Sequence, residues 1–298
     1  MKYNNLGKTP IQVSSIGFGC MSLKQDDKAT EQLLHAALDG GINFFDTADL
    51  YDKGQNEQIV GKAFRQKRKD VAIATKVGNQ WKADGTGWDW NPRKAYILQA
   101  AEASLQRLQT DYIDLYQLHG GTIEDNIDET IEAFELLKQQ GKIREYGISS
   151  IRPNVVREYV AKSHIASVMM QYSLLDRRPE ETALPLLAGN NIGILARGSI
   201  AQGLLSGKPA KPYLNYSADE VTKAAVVTRH LSLAERTATQ TALLYVLQQP
   251  AVTAAIVGMR TAAQLSDVLQ TIAAPALTPA EIGALQHALP PNTYEQHR

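Results

Sequence analysis

The sequence predicts a (β/α)8 barrel, and three observations carry that expectation. Short apolar, β-like runs alternate with longer helical patterns along the chain, the signature of βα units and a parallel sheet. Eight such runs share 298 residues, a repeat of roughly 37 residues that suits a barrel better than a doubly wound sheet. The glycine fingerprint of a doubly wound nucleotide fold is missing. Gly17-Phe18-Gly19-Cys20 lacks the third glycine and does not open directly into a helix.

The elements follow in order. Tyr3 to Leu6, a turn at Gly7-Lys8-Thr9-Pro10 and Ile11 to Val13 read as a hairpin capping one end of the barrel. Barrel strand one is Ile16 to Gly19, followed by a helix from about Lys28 to Asp39. Strand two is Asn43 to Asp46, with a helix at about Asn56 to Phe64. Strand three is Val71 to Lys76, and its helix runs from about Lys94 to Leu108. Strand four is Ile113 to His119, and its helix about Ile127 to Gln140, with Asp125 and Asn126 as plausible caps. Strand five is Glu145 to Ser149, followed by a helix from Pro153 to Ser163. Strand six is Ser167 to Gln171, followed by a helix at about Pro179 to Gly189. Strand seven is Gly193 to Arg197 and strand eight Ala254 to Gly258, with no helix assigned between them. A helix from Thr261 to Leu269 follows. A last helix, started by Thr278-Pro279-Ala280-Glu281, packs outside the barrel. Gly40-Gly41 and Gly141 stop two of the helices. With no low-complexity linker and no charge block, residues 1 to 298 read as one domain.

Composition narrows the function. Hydrophobic residues at 44% allow a large core. Charged residues at 21% cancel to a formal net charge of +0, so no bulk field draws nucleic acid or anionic lipid. A small-molecule ligand is the better expectation. Cys20 is the only cysteine, which excludes an intrachain disulfide and a cysteine metal cluster and fits a reducing compartment. The opening residues carry no apolar signal-like stretch, and no apolar run approaches the roughly 18 residues that span a bilayer. A cytoplasmic location and no membrane partner are therefore expected. The six histidines show no ligand-like spacing, so no metal is expected. Oligomeric state stays open.

In a barrel of this type the active site sits at the C-terminal strand ends and the loops after them. Strand two ends at Asp46, strand three at Lys76 and strand four at His119, and Tyr51 lies in the loop after Asp46. Their chemistry is complementary. A phenol with an ordinary pKa near 10 is a sluggish proton donor at neutral pH, and a nearby ammonium favours its phenolate. Lys76 could supply that charge, Asp46 could hold Lys76, and His119 could hydrogen-bond a carbonyl oxygen beside Tyr51. Each residue alone has an ordinary structural reading: a strand-end carboxylate, a rim ion pair, a packed histidine. Joint placement on one rim favours chemistry.

At these residues the sequence resembles the aldo-keto reductase family. The matching segments are Gly41-Ile-Asn-Phe-Phe-Asp-Thr-Ala-Asp-Leu-Tyr51, Ile73-Ala-Thr-Lys-Val77 and Asp111-Tyr-Ile-Asp-Leu-Tyr-Gln-Leu-His119. Gly141-Lys-Ile-Arg-Glu-Tyr-Gly-Ile-Ser149, Gln171-Tyr-Ser-Leu-Leu175 and Ala201-Gln-Gly-Leu-Leu-Ser-Gly-Lys208 follow, so the likeness runs from Leu6 to about Leu269. The resemblance implies a catalytic tetrad of Asp46, Tyr51, Lys76 and His119, with Tyr51 as the acid, and carbonyl reduction by hydride transfer from NADP(H). It implies that Ser149, Ser150 and Gln171 hold the nicotinamide carboxamide. Gly198, Ile200, Gln202, Gly203 and Leu204 would cover the pyrophosphate with Lys208 nearby. Gly258, Met259, Arg260 and Gln264 would take the adenosine end, and Gly19, Cys20, Met21 and Arg197 complete the cofactor set. Arg260 and the helix start near Thr261 favour the extra phosphate of NADP over NAD.

The chain also departs from the family pattern. Arg197-Gly-Ser-Ile200 stands where a tyrosine often stacks on nicotinamide, and a guanidinium plane could stack instead. Ser150 replaces a frequent asparagine, Val268 replaces another near the adenine, and Asp52 replaces a glycine. These changes imply weaker or altered cofactor binding.

For the carbonyl substrate, Trp81, Trp88 and Trp90 lie in the long segment after Lys76, where they clamp a substrate or pack the loop onto the barrel. Leu23, Lys24, Leu50 and the segment Gly120 to Ile123 are further wall candidates, and Asp176-Arg177-Arg178 lies near the cofactor or in an ion pair. Two other functions compete: a cofactor-binding regulatory or redox-sensing module with little turnover, and an aldolase-like barrel with Lys76 as Schiff-base nucleophile. Asp46 would keep Lys76 charged, which weighs against the second.

Overall fold

The computed structural model describes residues 1–23, 28–232 and 235–298, and its eight parallel strands close into a barrel. A hairpin comes first, β1 (Tyr3–Asn5) and β2 (Gln12–Ser14), antiparallel with Tyr3 opposite Ser14. Then follow β3 (Ile16–Gly19), α1 (Lys28–Asp39), β4 (Phe44–Asp46), α2 (Gln55–Phe64) and β5 (Ala72–Val77). A second antiparallel pair, β6 (Asn79–Trp81) and β7 (Trp88–Trp90), interrupts the alternation before α3 (Lys94–Leu108). The alternation resumes with β8 (Ile113–Leu118), α4 (Ile127–Gln139), β9 (Ile143–Ser149), α5 (Pro153–Lys162), β10 (Ser167–Gln171), α6 (Ala183–Gly189) and β11 (Gly193–Arg197). Two helices, α7 (Ala218–His230) and α8 (Ala238–Leu247), precede β12 (Val252–Gly258), and α9 (Ala262–Gln270) and α10 (Pro279–His287) end the order. The barrel runs β3-β4-β5-β8-β9-β10-β11-β12 and closes between β12 and β3, with Ala255 opposite Ile16.

The strands read as apolar runs because both faces are covered. All six residues of β5 and of β8 are buried. Phe44, Ala72, Ala74, Leu115, Met169, Leu195 and Ala254 form an inner cluster, while the larger core lies between strands and helices, with the rings of Phe45 and Phe64 tilted against each other, centres 4.3 Å apart. Leu6 and Val13 of the hairpin join the inner cluster. A Cβ at Gly7 would lie 2.5 Å from the Ala166 carbonyl, which precedes β10, so the hairpin closes the end where strands begin. The C-terminal strand ends remain open for a site.

Most element positions match the sequence reading within two residues. Asn126 caps α4, accepting from the Glu129 backbone N–H, and Thr278 and Glu281 form the capping box of α10. Asp125 does not cap; its carboxylate accepts from Trp90 Nε1 and the Thr122 N–H. The expected helix from Pro179 splits into one turn at Arg178–Glu180 and α6, because Glu180 is drawn to Arg177 and Thr182 leaves the helical region. Neither α7 nor α8 is anticipated by the sequence reading. Six of the ten α8 residues are buried, so no polar stripe marks that helix. No helix of the described residues is long and apolar enough to cross a membrane.

Candidate active site

Strand ends bring four side chains together. Asp46 ends β4, Lys76 is the penultimate residue of β5, and His119 follows β8 with its N–H donating to the Val77 carbonyl at 2.7 Å. Tyr51 sits on the turn after β4. Lys76 Nζ donates to Asp46 Oδ2 at 2.7 Å, to the Thr47 carbonyl at 2.7 Å and to Tyr51 Oη at 3.3 Å. Those three acceptors use its three protons. Tyr51 and His119 meet edge to face with ring centres 5.9 Å apart. Gln117 Nε2 approaches the second Asp46 oxygen at 3.4 Å.

Burial works against charge throughout this cluster. On Lys76 it opposes the ammonium, but Asp46 and Tyr51 prevail and hold the group above its ordinary value. Burial raises the Asp46 carboxyl, against the pull of Lys76 and Gln117. Burial, then Lys76 and Arg197, push His119 down to about 3, so its ring is neutral at pH 7. Its buried Nδ1 has no partner among the described residues. The site thus offers a phenol hydroxyl supported by an ammonium, beside a neutral imidazole.

A second layer fixes the first. Thr47 Oγ1 bonds Asn56 Oδ1, and Asn56 Nδ2 donates to the carbonyls of Cys20 and Leu23. Glu57, fully buried, accepts from Thr75 Oγ1 at 2.6 Å and from Arg107 Nε at 2.6 Å. Asp49 is buried with both carboxylate oxygens unpartnered among the described residues. Burial, then Glu57, push it up to about 8. None of this layer was singled out from sequence.

Over the tetrad lies a cavity of about 1420 Å³, walled by Asp46, Tyr51, Lys76 and His119 and by loops after most of the strands. Gln171 is fixed at both ends of its amide: Nε2 donates to Tyr213 Oη at 2.9 Å and Oε1 accepts from Arg197 Nη1 at 3.1 Å. Gly203, at φ +94, lets the Lys208 stem pass where a Cβ would stand 2.8 Å from it.

Residues 15–290 match the model of the aldo/keto reductase family. The chain belongs to the aldo-keto reductase family. It is 50% identical to an uncharacterized oxidoreductase, YqkF, of Bacillus subtilis, over the full length of both chains. It is 38% identical to aldo-keto reductase YhdN of the same organism, over 72% of this chain and 66% of that one. A solved structure, the holo form of aldo-keto reductase AKR11C1 from Bacillus halodurans, matches at 49% identity with a TM-score of 0.94, covering 100% of this chain and 99% of that one. Aldo-keto reductases are oxidoreductases that act on small carbonyl compounds with a nicotinamide cofactor, and the chain shares that class.

Most of the residues that the aldo-keto reductase resemblance marked for cofactor face this cavity. Gly19, Met21, Ser149, Ser150, Gln171, Arg197, Gly198, Ile200, Gln202, Gly203, Lys208, Gly258, Arg260 and Gln264 lie in its wall. Cys20, Leu204 and Met259 do not. Their side chains are buried in the core between barrel and helices. Val268 also packs in that core, so the residue in the asparagine position turns away from the cavity. Asp52 adopts φ 47, a conformation in which a glycine is easier.

The substrate candidates divide. Leu50, Trp88 and Trp90 line the cavity. Leu23 is a core residue, 4% exposed, and Lys24 lies outside the described residues. Trp81 lies outside the wall with Lys53 Nζ 5.2 Å from its ring. In the ribbon Trp90 pairs with Asn79 at the barrel end, and Trp81 pairs with Trp88, which faces the cavity although its partner does not. Trp90 covers Gly78, whose φ of +124 and bare Cα admit the indole where a Cβ would stand 2.6 Å from it. Gly120, Gly121 and Thr122 line the wall, whereas Ile123 does not. Arg178 is in the wall and bonds Asp176 through two nitrogens, at 2.7 Å each, which is the ion-pair reading of that segment.

Sequence reasoning missed a third wall, the tail from Thr293 to His297. Asn292 Oδ1 accepts from the Arg177 N–H at 2.8 Å, the His297 carbonyl accepts from the Asn154 N–H at 2.9 Å, and Arg178 lies 5.0 Å from the Tyr294 ring. The tail has no periodic pattern, so nothing in the sequence marked it as part of a wall. Tyr213 and Arg152, also wall residues, carried no local signal.

Proposed function

We propose that the protein reduces aldehydes or ketones to alcohols with NADPH, Tyr51 being the general acid. One observation carries the reading: the Lys76 ammonium, shared by Asp46, the Thr47 carbonyl and Tyr51 Oη, sits under the floor of the large cavity. Tyr51 donates its hydroxyl proton to the carbonyl oxygen as that oxygen gains charge. Lys76 stabilises the phenolate left behind, and Asp46 keeps Lys76 charged and in place. His119, neutral, donates one N–H to the same oxygen and orients the carbonyl. A charged Lys76 has no lone pair for a Schiff base, which counts against the aldolase-like reading.

The wall fits a dinucleotide with an extra phosphate. Arg197, Lys208 and Arg260 have no acid within ion-pair distance among the described residues, and the Gln171 amide is held ready for a carboxamide. NADPH, when bound, supplies the hydride, as the chemistry of that cofactor requires. Ser149, Ser150 and Gln171 would hold its carboxamide, and the Arg197 guanidinium would lie against the nicotinamide. Lys208 would face the pyrophosphate, and Arg260 at the start of α9 would take the 2′-phosphate. A single buried cysteine suits a reducing compartment, and the cytoplasm is the proposed site of action.

The test is fluorescence titration with NADPH and NADH, then NADPH oxidation with 4-nitrobenzaldehyde by wild type and Tyr51→Phe. Tighter binding of NADPH and a loss of turnover of roughly 100-fold or more in Tyr51→Phe support the reading. Binding without turnover in wild type replaces it with the sensing module, and no nucleotide binding overturns it.

A further inference from the structure

The cations of the cavity wall have unequal partners. Lys76 is paired with Asp46, and Arg178 with Asp176. Arg197 bonds Gln171, and Lys208 and Arg260 belong to the loops after β11 and β12, where the phosphates are proposed. Arg152 is different. It follows β9, but its side chain leans toward the neighbouring strand's loop, and its Nη1 donates to the carbonyl of Gly121, two residues beyond His119. This carries the guanidinium from the loop of Ser149 and Ser150 to the loop after His119, where Gly120, Gly121 and Thr122 line the cavity.

That guanidinium is half-buried, and no carboxylate pairs with it among the described residues. Asp125, on the Gly121 loop, spends its oxygens on Trp90 Nε1 and the Thr122 N–H. Glu295 of the tail lines the same cavity without forming an ion pair there among the described residues. One carbonyl uses one of five guanidinium protons. A partly desolvated cation with donors to spare is costly unless an anion completes it, and a carboxylate is the shape its planar fork matches.

We propose that Arg152 is a specificity-determining residue that binds a carboxylate of the substrate. The preferred substrates are then carbonyl compounds that carry a carboxylate across a flat or apolar spacer. Tyr51 and His119 take the carbonyl oxygen, Trp90 packs against the spacer, and Arg152 takes the carboxylate. The inference rests on the reductase reading and names the substrate class of that same site.

The test compares 4-carboxybenzaldehyde with 4-nitrobenzaldehyde, whose nitro group has nearly the shape of a carboxylate but no net charge. Wild type, Arg152→Ala and Arg152→Lys are assayed with NADPH. Because each variant is compared with wild type on each substrate, the intrinsic reactivity of the two aldehydes cancels. Arg152→Ala should lower kcat/KM for the carboxylated aldehyde roughly 10- to 100-fold, mainly through KM, with roughly threefold change or less for the nitro compound. Arg152→Lys should recover part of the loss, and added salt should weaken only the carboxylated substrate. Equal losses on both substrates would make Arg152 a stitch between two loops and overturn the proposal, as would no loss on either. Nitro turnover with a carboxylated aldehyde that wild type does not prefer by KM overturns it too, leaving the reductase reading intact. Should neither aldehyde turn over, calorimetry of 4-(hydroxymethyl)benzoate against NADP-loaded protein decides: binding weakened at least tenfold by Arg152→Ala upholds the anion site, and binding unchanged or absent in wild type rejects it.

Discussion

Replacing Lys76 by methionine isolates what the buried ion pair does for the fold. Lys76 is 1% exposed and Asp46 4%, and their charged atoms are 2.7 Å apart. Methionine keeps most of the volume but strands the Asp46 carboxylate. Removing one partner of such a pair typically costs about 3 to 5 kcal/mol, because a buried charge is left uncompensated. Adding Asp46→Asn removes that charge, so the double variant should recover about 1 to 3 kcal/mol relative to the sum of the two single changes. The pH dependence has a definite sign. Without Lys76, burial of Asp46 is opposed only by Gln117 and Arg197, and its folded pKa moves farther above the unfolded value. A raised carboxyl contributes stability that is complete below its unfolded pKa and lost as pH rises through the folded one, so the Lys76→Met penalty should shrink in acid. Urea unfolding at pH 5 and pH 8, followed by tryptophan fluorescence and circular dichroism, measures all four corners of the cycle. A single-variant cost below about 1 kcal/mol at pH 8, strict additivity, or a penalty that does not shrink in acid would refute the reasoning.

Three further outcomes are expected. Asp49 is held up at about 8 against an ordinary 3.8, so its favourable contribution is present below 3.8 and lost as pH rises through 8. Asp49→Asn should flatten the melting temperature of the protein across that window, and parallel profiles for wild type and variant would contradict this. His119 shows the opposite sign: held down at about 3 from 6.5, it contributes fully above 6.5 and loses that contribution as pH falls toward 3. His119→Gln should therefore flatten the acid side of the stability profile, read by chemical unfolding between pH 4 and pH 7. In Gly61→Ala, the new Cβ would lie 2.5 Å from the Leu108 carbonyl carbon, backbone against backbone where α2 meets α3. A net loss of about 1 to 3 kcal/mol is expected despite alanine's better helix propensity, and an unchanged urea midpoint would mean that the helices separate at little cost.

The sequence by itself determined the barrel and the positions of the tetrad. Buried parallel strands must be apolar on both faces, so β5 and β8 stand out as continuous runs, and helix starts such as Thr278 to Glu281 carry their own caps. Once the strands are assigned, their C-terminal ends name Asp46, Lys76 and His119 directly. Which way each neighbouring side chain faces was decided by tertiary structure. Leu23, Cys20, Leu204, Met259 and Val268 sit next to site residues in sequence, yet all five turn into the core. Trp81 and Trp88 are paired across one ribbon, yet only Trp88 faces the cavity. Pairings across long separations were invisible to local pattern: Asn292 with Arg177 and Arg152 with Gly121. Periodicity records how one segment meets its own core, whereas a contact between distant segments is fixed by how the whole barrel closes, and the cavity wall is built from such contacts.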